Sequence, residues 1–167
     1  KRNKIDNSVG KVVDEIIRQI RKNSDDALLK FTRKFDNFNV TVFNELIVKE
    51  SEIKESIKKI KPEVLTSLKS AIRRIKSYHK RQLPKNDFYK DKHGVLLGGV
   101  WNPIESVCLY VPGGTAAYPS SLIMNAIPAI VAGVERIVIT VPAINGYLNP
   151  IILACANLLG ISEIYKI

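Results

Sequence analysis

The stretch from Ser106 to Gly133 constrains the fold of this chain more than any other part of the sequence. It opens with Ser106–Val111, a run of mostly apolar residues rich in β-branched and aromatic side chains, which predicts a buried strand. Pro112-Gly113-Gly114 ends that strand, and glycine permits positive φ and carries no Cβ that would keep a ligand away. An apolar run at helical spacing follows from Pro119. This order of strand, glycine turn and helix places ligands above the carboxyl end of a strand in α/β sheets.

The spacing of this turn alone leaves two interpretations open. One is a ligand cradle, and the other is a tight turn between a strand and a helix that binds nothing. The three spaced glycines of a dinucleotide-binding fingerprint are absent from the sequence, so the glycine pattern does not decide between them.

The residues that follow continue the alternation of strands and helices. Ile137–Val141 predicts a second buried strand, Asn149-Pro150 opens another helix that Gly160 caps, and 162–167 predicts a third strand. The fold class that we expect is therefore α/β, with a helical N-terminal lead-in followed by half of a doubly wound, incomplete Rossmann-like parallel sheet. Because no helix follows the last strand to cover it, we expect a longer protein or a partner to complete the sheet.

The front half of the chain predicts four helices. They are expected to begin at Asn7 or Ser8, at Ser24, at Ser51 as an N-cap, and at Pro62. The segment 40–48 predicts a strand or a loop.

Two domains follow from these patterns. Residues 1–86 would form the helical lead-in. Residues 87–167 would form the β-α-β-α-β domain, incomplete at its C-terminal end and preceded by a hairpin-like pair of extended segments from Phe88 to Trp101.

Charge is distributed unevenly along the chain. The net charge is +10, yet only two of the 26 Lys and Arg residues, Arg136 and Lys166, come after His93. The fourth predicted helix carries a basic face, made of Lys69, Arg73, Arg74, Lys76, Lys80 and Arg81. A solvated surface is the favoured interpretation, because no aromatic platform or nucleic-acid motif accompanies these charges. The alternative is a non-catalytic binding module that uses this face for nucleic acid or an acidic partner.

The remaining sequence signals point to a cytoplasmic protein without a membrane span. No apolar run reaches the roughly 18 residues that a span needs, and we expect no secretory leader. Cys108 and Cys155 lie on apolar patterns, which predicts two buried thiols in a reducing compartment. His79 and His93 lack metal-ligand spacing, which predicts a surface residue and a turn residue.

The chain resembles the histidinol dehydrogenase family, specifically the N-terminal portion of its members. The resemblance is carried by Tyr110–Ser121 and Met124–Ala129 within the segment from Pro103 to Val134, and further by Asp25–Leu28 and Asn149-Pro150. The family usually has glycine where Ser24 stands, a change that helix capping should survive.

This resemblance implies an enzyme of histidine biosynthesis that oxidises L-histidinol to L-histidine with two NAD, binds zinc and works as a homodimer. It implies that Tyr110, Pro112, Gly113 and Gly114 bind the cofactor and that Ser120 lies on the substrate side. The zinc ligands and the Glu-His acid–base pair of the family lie beyond Ile167. We therefore assign no catalytic residue and no metal ligand here, and expect this segment alone to be inactive.

Overall fold

The computed structural model describes residues 7–113 and 117–167 of the chain. The helices of its front part span Asn7–Phe35 (α1), Glu50–Ser56 (α2) and Pro62–Lys80 (α3). α1 breaks at Ser24, whose φ of 45° and ψ of −123° are not helical, so the predicted start of a new helix there is confirmed. The two halves of α1 approach each other across this break, since Lys30 Nζ donates to Gln19 Oε1 at 3.2 Å.

The start of α2 differs from the prediction. Ser51 does not cap this helix but lies inside it, because α2 begins at Glu50 with Lys49 as its N-cap, two residues earlier than predicted. The backbone N–H of Lys49 donates to Glu52 Oε1 at 3.3 Å, so a carboxylate from the first turn satisfies the backbone before the helix. α3 begins at Pro62 as predicted.

An antiparallel hairpin connects the helical part to the parallel sheet, as the sequence predicted. Its strands span Asp87–Lys90 (β1) and Leu96–Gly99 (β2). Asp91 holds the turn, because its Oδ1 accepts from the backbone N–H groups of His93 at 2.8 Å and Val95 at 2.9 Å. Every residue of the two strands is exposed.

The back half forms a three-stranded parallel sheet in the order β3-β4-β5, which confirms the predicted fold class. Its elements span Ser106–Tyr110 (β3), Pro119–Ala132 (α4), Arg136–Val141 (β4), Pro150–Leu159 (α5) and Glu163–Lys166 (β5). Asn149 caps α5, because its Oδ1 accepts from the N–H of Ile151 at 3.0 Å. Gly160 ends the same helix with φ of 75°, as predicted.

The two helices of the back half cover one face of this sheet. Leu109, Ile139 and Ile164 are neighbours in register across the three strands, and all three are buried. They belong to one apolar cluster with Leu122 of α4 and Ile152 of α5. Because side chains alternate along a strand, the neighbouring residues of each strand face the other way.

Cys108 lies on that second face and is exposed, so the prediction of two buried thiols is wrong for this residue. The reason is positional: among the described residues β3 is an edge strand, and its second face has no helix packed on it at Cys108. Cys155, on the inner side of α5, is fully buried as predicted.

The segment 40–48 joins the helical part to the sheet. It contains the short 3₁₀ turn Phe43–Leu46, after which Ile47 forms an antiparallel bridge with Tyr165 of β5. The N–H of Val48 donates to the carbonyl of Ile164 at 2.9 Å. The boundary between 1–86 and 87–167 stays a prediction, and buried side chains from both sides of it share one cluster.

Candidate functional site

The carboxyl ends of β3 and β4 bring two proline-containing turns together. Both strands point the same way, and the N–H of Val111 donates to the carbonyl of Thr140 at 2.9 Å, which extends the pairing past β3. Val111 and Val141 are buried beneath this edge and anchor the ends of the two strands. Pro112 and Pro142 therefore follow their strands at the same edge of the sheet, where ligands bind in parallel α/β sheets.

Gly113 allows these two turns to approach closely. A Cβ built on Gly113 would lie 3.0 Å from both the Cβ and the carbonyl oxygen of Pro142. Gly113 does not adopt a positive φ, so its use here is the absence of a side chain rather than left-handed backbone. A larger residue at this position would require Pro142 to shift by a few tenths of an ångström.

A cavity of about 190 Å³ opens between these turns and the loop that leads into α5. Its lining includes Pro112 and Gly113 from the turn after β3, Pro142 from the turn after β4, and Ile144 and Tyr147 from the loop. The β4–α5 loop was not among the predicted site residues. The sequence nevertheless indicated that this loop belongs to the site. Pro142 follows a predicted strand, so in a parallel sheet it lies at the same edge as Pro112.

Tyr110 stands beside this cavity rather than in its wall. It is the last residue of β3 and lies on the face that α4 and α5 leave uncovered, with its side chain 60% exposed. Its neighbours in register are Thr140 and Tyr165. The ring is thus open to solvent, and no side chain of the described residues buries it.

The other predicted site residues are less closely grouped. Ser120 is exposed in the first turn of α4 and does not line the cavity. Gly114 lies outside the described residues. The structure therefore brings Pro112 and Gly113 into the lining of one cavity, places Tyr110 next to them, and leaves Ser120 on the helix that follows.

The two cysteines differ in chemistry because they differ in burial. Desolvation raises the pKa of the Cys155 thiol to about 12, so this group is protonated near neutral pH. Cys108 is exposed, with its Sγ 3.9 Å from Thr140 Oγ1.

We expect iodoacetamide at pH 8 to modify Cys108 and to leave Cys155 unmodified in the folded chain. A thiolate is the reactive form, and burial both suppresses its formation and blocks the reagent at Cys155. Peptide mass spectrometry would locate the label, and unfolding in guanidinium before labelling should make both cysteines react. Equal labelling of both in the folded chain would contradict the burial of α5.

The described residues contain no set of side chains suited to bind zinc. Within 7–113 and 117–167, His, Cys, Asp and Glu side chains form no group of three or more that would hold a metal ion. His93 lies in the hairpin turn as predicted, while His79 is half-buried, with Nδ1 2.6 Å from Gln82 Oε1. We derive no step through zinc from these residues.

Across the described part of the chain, no helix combines the length and the apolar character required to cross a bilayer. The basic side chains of α3 named above are exposed.

A parallel sheet with a cavity at the carboxyl ends of its strands defines the class: an α/β protein whose cavity is built from the turns after β3 and β4. The family profile for histidinol dehydrogenase matches residues 1–167. The chain belongs to the histidinol dehydrogenase family, a family of oxidoreductases of histidine biosynthesis.

Individual relatives agree with this assignment. The histidinol dehydrogenases of Rhizobium meliloti and Brucella abortus are 50% and 47% identical to the chain over 163 residues, which is 98% of this chain. The crystal structure of histidinol dehydrogenase from Elizabethkingia anophelis superposes with a TM-score of 0.89 at 31% identity and covers 99% of this chain. The chain spans 37% of the length of the Rhizobium and Elizabethkingia proteins and 38% of the Brucella protein. The comparisons give the alternative of a nucleic-acid-binding module no support.

Proposed function

We propose that this chain supplies the cofactor-binding edge of a histidinol dehydrogenase, which oxidises L-histidinol to L-histidine with two NAD. The observation that carries the proposal is the contact between Gly113 and Pro142 at the carboxyl edge of the sheet, in a chain that matches the family over its whole length. NAD supplies the hydride acceptor when it is bound. The acid–base residues and zinc ligands of such an enzyme would come from outside this segment, which by itself should be inactive.

The residues at the edge have separate tasks in this proposal. The close approach of Gly113 to Pro142 shapes the lining along which a cofactor would bind, and Gly114 would also bind it. Tyr110 offers an exposed aromatic face on which a flat ring can stack, and Pro112 shields one side of the cavity from water. Ser120, in the first turn of α4, would face the substrate. Dimer formation and a cytoplasmic location belong to the same proposal.

A chimera tests the activity. This chain would replace the 163 matched residues of the Rhizobium meliloti relative. We expect the purified chimera, loaded with zinc, to form NADH from NAD and L-histidinol, and the 167-residue chain alone to form none. The parent Rhizobium enzyme is the positive control. A folded, zinc-loaded chimera that forms no NADH would overturn the proposed function.

The cofactor edge is tested on this chain itself. Tyr110→Ala should weaken NAD binding about tenfold, because the stacking surface for the ring is removed. Equilibrium dialysis with NAD measures the change. Tyr89→Ala is the matched control, since Tyr89 is 55% exposed on the hairpin and does not line the cavity. If both variants bind NAD like the unaltered chain, Tyr110 is not part of the site.

A further inference from the structure

The loop that lines part of the cavity is held by residues 36–38, directly after α1. This loop, residues 143–147, follows β4 and contributes Ile144 and Tyr147 to the cavity. Its own hydrogen bonds are those of a short 3₁₀ turn, with the N–H of Gly146 donating to Ala143 at 2.8 Å and the N–H of Tyr147 to Ile144 at 3.1 Å. Such a turn has poor hydrogen-bond geometry and fixes the loop weakly.

Two hydrogen bonds from outside the loop converge on Asn145. Its N–H donates to the carbonyl of Asp36 at 2.7 Å, and its side-chain Oδ1 accepts from Asn37 Nδ2, also at 2.7 Å. Asn37 and Asn145 both adopt left-handed backbone, with φ of 51° and 55°. Asparagine tolerates this conformation better than most residues, so both positions suit their residue type.

Phe38 and Gly146, which follow Asn37 and Asn145 in the chain, add a packing contact. Gly146 has φ of 73°, and a Cβ on it would lie 2.7 Å from the ring of Phe38. The ring therefore packs directly against the backbone of the loop. We call these contacts of Asp36, Asn37 and Phe38 with Asn145 and Gly146 the loop brace.

We propose that the loop brace positions the cavity wall for the cofactor, with Asn37 as a positioning residue that raises cofactor affinity without touching the cofactor. The inference rests on the proposed function, because it assigns the brace to the same cavity. Its physical basis is preorganisation: a loop that is already held loses less conformational entropy when a ligand binds against it. The helical lead-in would thus set the affinity of a site built on the sheet.

The test compares three variants of this chain. Asn37→Gly removes the side-chain amide while keeping left-handed backbone accessible. Asn37→Asp is the conservative variant, because Asn145 can turn its amide and donate to the new carboxylate. Asn39→Gly is the control, an exposed asparagine two residues away that makes no hydrogen bond to the described part of the loop. Two readouts are needed: amide hydrogen exchange at Asn145 and Tyr147, and the dissociation constant for NAD by equilibrium dialysis.

We expect Asn37→Gly to speed exchange at both loop amides and to weaken NAD binding about fivefold, the factor that corresponds to one net hydrogen bond. Exchange at Ile139 in the core strand should not change, and Asn37→Asp should restore most of the affinity. Asn39→Gly should match the unaltered chain in both readouts.

The outcomes separate the inference from the proposed function. If the unaltered chain binds NAD and Asn37→Gly binds it equally well, the brace does not raise cofactor affinity. This result overturns the inference and leaves the proposed function intact. A weaker affinity accompanied by faster exchange throughout the core would mean general destabilisation, and this too overturns the inference. If the unaltered chain does not bind NAD, the proposed cofactor edge and the inference fall together.

Discussion

Replacing Ile139 by alanine should lower the free energy of unfolding by about 2–5 kcal/mol. Ile139 is the central residue of the sheet core, fully buried and paired in register with Leu109 on one side and Ile164 on the other. The substitution removes three carbon atoms where the neighbouring strands hold the backbone in place. The cavity cannot collapse easily, which puts the expected loss toward the upper part of the range.

Urea unfolding followed by circular dichroism would measure this loss, provided that the slope of the free energy with urea stays unchanged. Ile104→Ala is the matched control, because Ile104 is 64% exposed and its truncation should change stability by no more than about 0.5 kcal/mol. Similar losses for the two variants would contradict the position of β4 at the centre of the sheet.

Gly146→Ala should cost about 2–4 kcal/mol in the free energy of unfolding, for two separable reasons. Left-handed backbone strains alanine at φ of 73°, and the new Cβ would lie 2.7 Å from the Phe38 ring. Gly160→Ala isolates the first reason, because Gly160 has nearly the same φ, 75°, but no atom within 4 Å of a Cβ position. Its expected cost is therefore only the strain, about 1–2 kcal/mol.

A double-mutant cycle would assign the difference between the two glycines to the ring of Phe38. Phe38→Ala removes the ring, so adding Gly146→Ala in that background should cost no more than Gly160→Ala does. Equal losses for Gly146→Ala and Gly160→Ala in the unaltered background would show that the loop and the ring are not packed as described.

Local signals predicted the elements of this fold well. The apolar run, paired glycines and helix spacing of 106–133 fall within so short a segment that no tertiary information is needed to recognise a strand, a turn and a helix. Ser24 was recognised as a helix boundary for the same reason. The exposure of single side chains was harder to predict than the elements. Cys108 lies in an apolar run, but it is exposed because β3 is an edge strand among the described residues, and the order of strands is not a local property of the sequence.

The candidate site was predicted only in part. Tyr110 to Gly113 are adjacent in sequence, so their grouping followed once β3 was recognised. Further lining residues come from the β4–α5 loop, and the brace joins Asn37 to Asn145 across 108 residues. No local pattern carries such a contact, because its two partners lie far apart in sequence and meet only in the folded chain.

The long sequence separation of these contacts has a consequence for the order of folding. The hydrogen bond of Asn37 can form only when Asn145 is in place. The bridge of Ile47 likewise needs Tyr165, which lies in β5. Closing loops of this length is entropically costly before other contacts form, so helices such as α3 should appear early and the contacts of segment 36–47 with the loop 143–147 and with β5 should form late. During synthesis, the segment 40–48 would emerge early, but Ile47 would find Tyr165 only after β5 has left the ribosome.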